Sequence, residues 1–266
     1  MRGAGTALLL GTLLMAQPPE QLERDALALV RARDYARLSK LLRDPAFLSK
    51  LDRASEAKNF RLGHVMSALA DSPDQQTAEL SHTLAGDSGF MADPDRMLFL
   101  LEVLGAVRPM TAKTASLFKT ATGQGYFVTN AMLLAANGSP VAMGLFESMM
   151  LDRDTPAQTR IDCLHNSVMP HRTSLAILAS AENILTRSKE EELAAGVIES
   201  VFHYRREWFR PASTRPPPPA WDSASKESLT AALRLADLAR KRRLPPDLRA
   251  ALDREGAVIR KALGSR

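Results

Sequence analysis

The sequence predicts an all-α fold, a serial array of short helices that stack in pairs. Three observations carry this. Ser, Thr or Asp precedes proline at Ser72-Pro73, Asp93-Pro94, Ser139-Pro140 and Thr155-Pro156. Such pairs open helices, because proline lacks the N–H that the first helical position leaves unpaired anyway. Apolar residues between these openings recur every three or four positions, and no stretch of useful length alternates as a strand would. Hydrophobic residues make up 45% of the chain but aromatics only 5%, with Ala, Leu and Met abundant, a balance that favours helix over sheet.

Taken in order, residues 1–16 read as a secretory signal peptide: Arg2, an apolar run from Ala7 to Met15, and Ala16 before cleavage, with Pro18-Pro19 beyond. The alternative is an N-terminal core helix, but the segment has no polar face. The run is too short to span a bilayer, so a mature chain without a transmembrane segment is expected. No cysteine follows it to take a lipid. The predicted location is periplasmic or secreted.

From residue 20 to 209 a helical repeat domain is predicted. Leu22, Leu27, Val30, Leu38, Leu41 and Leu42 give one helix or two, ending at Asp44-Pro45. Phe60 to Ala70 is the next. Ser72, with Gln75 three residues on, predicts a capping box for a helix ending near Gly86. Asp93-Pro94 opens RMLFLLEVLGAV, apolar nearly all round and therefore central. Residues 110–121 and 125–136 follow, with Gly123 and Gly125 in their turn. Ser139-Pro140 opens a helix with Val141, Leu145 and Met149 on its apolar face, widened by Phe146 and Met150. Asp152 and Asp154 form an acidic turn. Thr155-Pro156, with Gln158 at the third position, opens a helix whose face is Ala157, Ile161, Leu164 and Val168. Residues 173–186 continue the series, and Ser188 to Glu191 predicts a capping box for a helix reaching Trp208. Residues 210–221 are a Pro-rich linker, RPASTRPPPPAW, which cannot be helical and favours polyproline II. Such a tract serves as a docking motif or as a stiff connector, and the connector is expected here. Residues 222–264 then form a helical hairpin too small for a core of its own, expected to pack back as a cap. Leu229, Leu233, Leu235 and Leu238 would meet Leu248, Leu252, Val258, Ile259 and Leu263.

The hairpin at 139–169 resembles a HEAT-type repeat, in which two antiparallel helices share an Asp-x-Asp turn and an arginine lies early in the second helix. Here these are Asp152, Asp154 and Arg160. A second candidate, Met66 to Leu84, has the turn but lacks the arginine. The resemblance implies an α-solenoid, a right-handed superhelix of stacked hairpins with a concave binding surface, and it implies no catalytic residue.

Charge is uneven. Residues 1–202 hold 20 Lys+Arg and 23 Asp+Glu, a net of −3; residues 203–266 hold 15 and 7, a net of +8. The candidate binding surface is Arg205, Arg206, Trp208 and Arg210, which mix basic and aromatic groups, with the run Arg240, Lys241, Arg242 and Arg243. The competing reading is a solvated face beside a core closed by Phe202, Trp208 and Phe209.

The single cysteine, Cys163, excludes a disulfide framework. Cys163, His165 and His171 lack the further ligands that a metal would need. Glu147-Ser148 resembles the Glu-Ser pair of lytic transglycosylases. The glycine-rich motif of that family is missing, so Glu147 is read as an exposed helix residue. No phosphate loop, His-Glu-x-x-His or Gly-x-Ser-x-Gly occurs. No catalytic, cofactor-binding or metal-binding set is therefore predicted. The expectation is an exported, non-catalytic scaffold whose groove binds a protein or peptide, an acidic one given the basic C-terminal quarter. The alternative resembles the HEAT-like alkylpurine DNA glycosylases, all-helical and basic, and requires a cytoplasmic chain for nucleic acid to be the partner.

Overall fold

The computed structural model describes residues 18–53, 60–203 and 219–265. Among these the chain is all-α, with 78% helix, 14 α-helices and no strand. The predicted signal peptide and nearly all of the predicted linker lie outside the described residues. The chain divides into two compact units, Met1–Arg108 and Pro109–Arg266.

The first unit holds α1 (Pro19–Ala32), α2 (Tyr35–Leu42), α3 (Pro45–Arg53), α4 (Phe60–Ala70), α5 (Gln75–Ala85) and α6 (Arg96–Ala106). α1 stops because Arg33 turns left-handed, with φ 55°, and sends its N–H back to Val30 O at 3.0 Å. Asp34 then caps α2, accepting from Arg37 N. Asp44-Pro45, expected to end a helix, instead opens α3: Asp44 Oδ1 accepts from Ala46 N at 2.8 Å. The capping box expected at Ser72 and Gln75 lies two residues later. Asp74 accepts from Thr77 N and Thr77 Oγ1 accepts from Asp74 N. Leu100, Leu101, Val103 and Leu104 are fully buried, as the all-round apolar pattern of α6 predicts. α6 packs on α4 and α5. Arg61 bonds Glu23 at 2.7 Å and also Glu20, and His64 Nδ1 lies 2.6 Å from Glu23, joining α4 to α1. Burial pushes the Glu23 carboxyl up, but the hydrogen bonds from His64 and Arg61 outweigh it and leave the carboxyl below its usual range.

The second unit holds α7 (Ala112–Gly123), α8 (Phe127–Asn137), α9 (Pro140–Leu151), α10 (Ala157–Ser167), α11 (Leu175–Arg187), α12 (Glu191–Phe202), α13 (Lys226–Ala239) and α14 (Pro246–Gly264). Its packing follows a simple rule. α7 packs on α9, α9 on α11 and α11 on α13; α8 packs on α10, α10 on α12 and α12 on α14. Each helix from α7 to α12 thus meets the one two places along. Within the pairs, α7 meets α8, α9 meets α10, α11 meets α12, and α13 meets α14. Gly196 of α12 permits the close approach of α10, since a Cβ there would stand 2.9 Å from Ile161 Cγ1.

Local starts differ from expectation where a side chain finds a better partner. Ser139 sits at the N-cap of α9 without capping it. Its hydroxyl donates to Asn137 Oδ1 at 2.6 Å and accepts from Met110 N at 3.2 Å. Gln158 lies one place too early for a capping box and bonds Asp162 at 2.8 Å. Ser188 accepts from Glu190 N, and α12 begins after Glu190. Two apolar residues assigned to inner faces are exposed, Val141 at 41% and Val258 at 49%. Each lies on the outward side of its helix, while Leu145, Met149, Leu252 and Ile259 point in.

Trp221 closes the end of α12; Trp208 and Phe209, expected to close the core beside Phe202, lie outside the described residues. Trp221 is 2% exposed and stacks on Phe202 with centroids 6.4 Å apart. Arg172 lies over its ring at 5.0 Å and donates to Pro219 O at 2.9 Å. Glu255 of α14 accepts from Trp221 Nε1 at 2.6 Å and pairs with Arg172 at 3.4 Å. Burial lowers the Arg172 pKa and Glu255 opposes that.

Candidate interaction surface

A groove of about 580 Å³ lies over α9 in the second unit. Its cause is local. Gly144 and Ser148, one helical turn apart, stand on the outward side of α9 and leave little side chain there. A Cβ at Gly144 would meet nothing within 4 Å. Lys119 and Thr122 of α7 wall one side and Arg187 of α11 the other, while Leu145 and Met149 give an apolar floor. Asp152 and Leu151 close one end. The groove therefore offers apolar contact between cationic rims.

Glu147 lies just under this groove, and the expectation of an exposed residue is overturned. Its side chain is only 13% exposed. It accepts from Ser180 Oγ at 2.6 Å and from Asn183 Nδ2 at 3.2 Å, with Arg187 at 3.8 Å. These bonds join α9 to α11 and fix the spacing of the groove walls.

Two arginines tie the turns of successive pairs. Arg160, 2% exposed, donates to Met150 O at the end of α9 and to Thr155 O in the acidic turn. It also reaches Glu190, at the start of α12, at 2.7 Å. Its hydrogen bond holds the Glu190 carboxyl below its usual range, with some opposition from burial. One pair further along, Arg242 donates to Leu185 O, ending α11, and to Ser188 O at 2.9 Å, with Glu191 at 3.6 Å. Both satisfy carbonyls that a helix end leaves open. Asp152, the other residue of the acidic turn, accepts from Asp154 N at 3.1 Å and from Thr155 Oγ1.

The candidate surface residues separate into three groups. Arg205, Arg206, Trp208 and Arg210 lie outside the described residues. Arg240 and Arg242 are engaged inside the unit, Arg240 with Asp237 at 2.7 Å and Asp253 at 3.3 Å. Lys241 and Arg243 are exposed. Half of the basic run thus serves the fold, because a turn between helices presents carbonyls that arginine satisfies.

Cys163 is fully buried, and burial, aided by Asp162, pushes its thiol up to about 12. His165 lies 3.4 Å from Glu199. Among the described residues no group of three His, Cys, Asp or Glu could hold a metal ion, and no helix is long and apolar enough to cross a membrane. No family model matches the chain, and neither a curated protein nor a solved structure matches it.

Proposed function

We propose that this chain is an exported, non-catalytic protein-binding α-solenoid of HEAT-like hairpins, whose groove over α9 receives a peptide of a partner protein. The observation that carries the reading is the packing of each helix from α7 to α12 on the helix two places along. A row built this way buries every inner face against a neighbour and leaves extended outer surfaces, as stacked repeats do. The arginines at 160 and 242 support it. Each ties its own turn to that of the adjoining pair, so the same device recurs along one edge. The groove supplies cationic rims and an apolar floor, which favours a peptide with both acidic and apolar residues.

Gly144→Phe tests the groove. Nothing stands within 4 Å of its Cβ position, so the ring would occupy the groove without disturbing the core. Replacing a mid-helix glycine also raises helix propensity. Capture of partner protein from native envelope extract should fall sharply with an unchanged or higher melting temperature. Equal capture by the two proteins would refute groove binding. Export is tested by intact mass from the native host, which should show a chain starting at Gln17. A cytoplasmic chain retaining Arg2, with salt-sensitive binding to random DNA, would favour the nucleic-acid alternative.

A further inference from the structure

In the second unit α14 packs one side on α12 and α13, and its other side is exposed among the described residues. That face is strongly basic. At 3.6 residues per turn, Arg249 and Arg260 follow one edge, and Arg254 and Lys261 the other. All four are exposed, and none is ion-paired among the described residues. Two acids share the face: Asp253, already held by Arg240 at 3.3 Å, and Asp247 in the first turn, seven residues before Arg254. Ala250 and Ala257 lie between the two edges, exposed and seven residues apart.

We propose that α14 docks an acidic helix of a partner protein, which continues the row as one more repeat would. This rests on the solenoid reading given above. Charge complementarity selects the partner: acids along both flanks of an incoming helix would meet the two basic edges. Alanines between those edges let the two backbones approach closely. The face has too little bulky apolar surface to enter a bilayer interface. Between the edges its one polar side chain is Asp253, an acid that would repel a phosphate backbone. Arginine strengthens the match, because its planar fork takes a carboxylate through two hydrogen bonds.

The test places a photoreactive group in the full chain, Ala257→benzoylphenylalanine, expressed in the native host. Irradiation should join it to a protein segment with Asp or Glu at helical spacing. A synthetic copy of that segment should bind the wild type about tenfold more tightly than a variant with Arg249, Arg254, Arg260 and Lys261 changed to Ser. The four sites are exposed, so melting should not change; if the variant does unfold, Arg254→Ser and Lys261→Ser singly should each weaken binding about twofold. An adduct with nucleic acid or lipid, a segment without acids, or no adduct at all overturns the proposal. Gly144→Phe separates the two readings. It should leave the adduct at position 257 intact, so persistence of that adduct while the groove proves unused would sink the groove alone.

Discussion

Arg160→Met removes the side chain that holds three elements together. The guanidinium donates to Thr155 O at 2.9 Å, Met150 O at 3.1 Å and Glu190 Oε2 at 2.7 Å, and is 2% exposed. Methionine fills similar volume, so cavity formation contributes little. A buried carbonyl, that of Met150, and a part-buried one, that of Thr155, lose a charged donor, at about 1 to 1.5 kcal/mol each. Glu190 is 29% exposed and regains water, so the loss of its ion pair adds only about 0.5 to 1 kcal/mol. The expected loss is about 3 kcal/mol. For a chain of this size that lowers the melting temperature by roughly 6 to 12 °C. Differential scanning calorimetry on the wild type, Arg160→Met, Glu190→Gln and the double variant isolates the pair, with an expected coupling of about 0.5 to 1 kcal/mol. The pair also has a pH signature. The folded Glu190 carboxyl lies below 4.5, its ordinary value. Its contribution is therefore present above that value and is lost as pH falls through the lower folded one. Arg160→Met should accordingly lose less stability on acidification below about pH 4.5 than the wild type does. A melting shift under about 2 °C, or a coupling near zero, would refute the tie between successive turns.

Gly196→Ala should destabilise by about 0.5 to 2 kcal/mol in denaturant melts, because crowding of Ile161 exceeds the gain in helix propensity, whereas Gly144→Ala should stabilise by about 0.5 to 1 kcal/mol. Trp221→Leu should cost about 2 to 3 kcal/mol in the same melts, since it removes the bond to Glu255, the Phe202 stack and the Arg172 contact together. Cys163 should resist iodoacetamide at pH 8 in the native protein and react at an ordinary thiol rate in denaturant, since burial holds its thiol near 12.

Much of the helical order was legible because it is local. Ser139-Pro140, the all-round apolar run of α6 and the glycine turn at 123–125 each announce their element within a few residues. The capping boxes at Ser72 and Ser188 were misplaced for a physical reason: several short polar residues compete for one helix end, and tertiary contacts choose among them. The site was less legible. Glu147 looks like a surface acid in the sequence, and only the approach of Ser180 and Asn183 from α11 buries it. Gly144 and Ser148 carried a readable signal, two small residues one turn apart on a helix otherwise lined with Met, Leu and Phe. Arg242 and Arg240 belong to a run that reads as one charge patch, yet two of its members close helix ends and acids.

The most direct test of the groove uses the inertness of Cys163. Ser148→Cys places an accessible thiol on the groove side of α9 in a chain whose native cysteine is buried. Its rate of maleimide labelling is measured for the free protein and for the protein bound to the partner captured from envelope extract. The account predicts slowing of about tenfold or more on binding, reversed when the partner is released by salt. Labelling at an unchanged rate while the partner remains bound would contradict it.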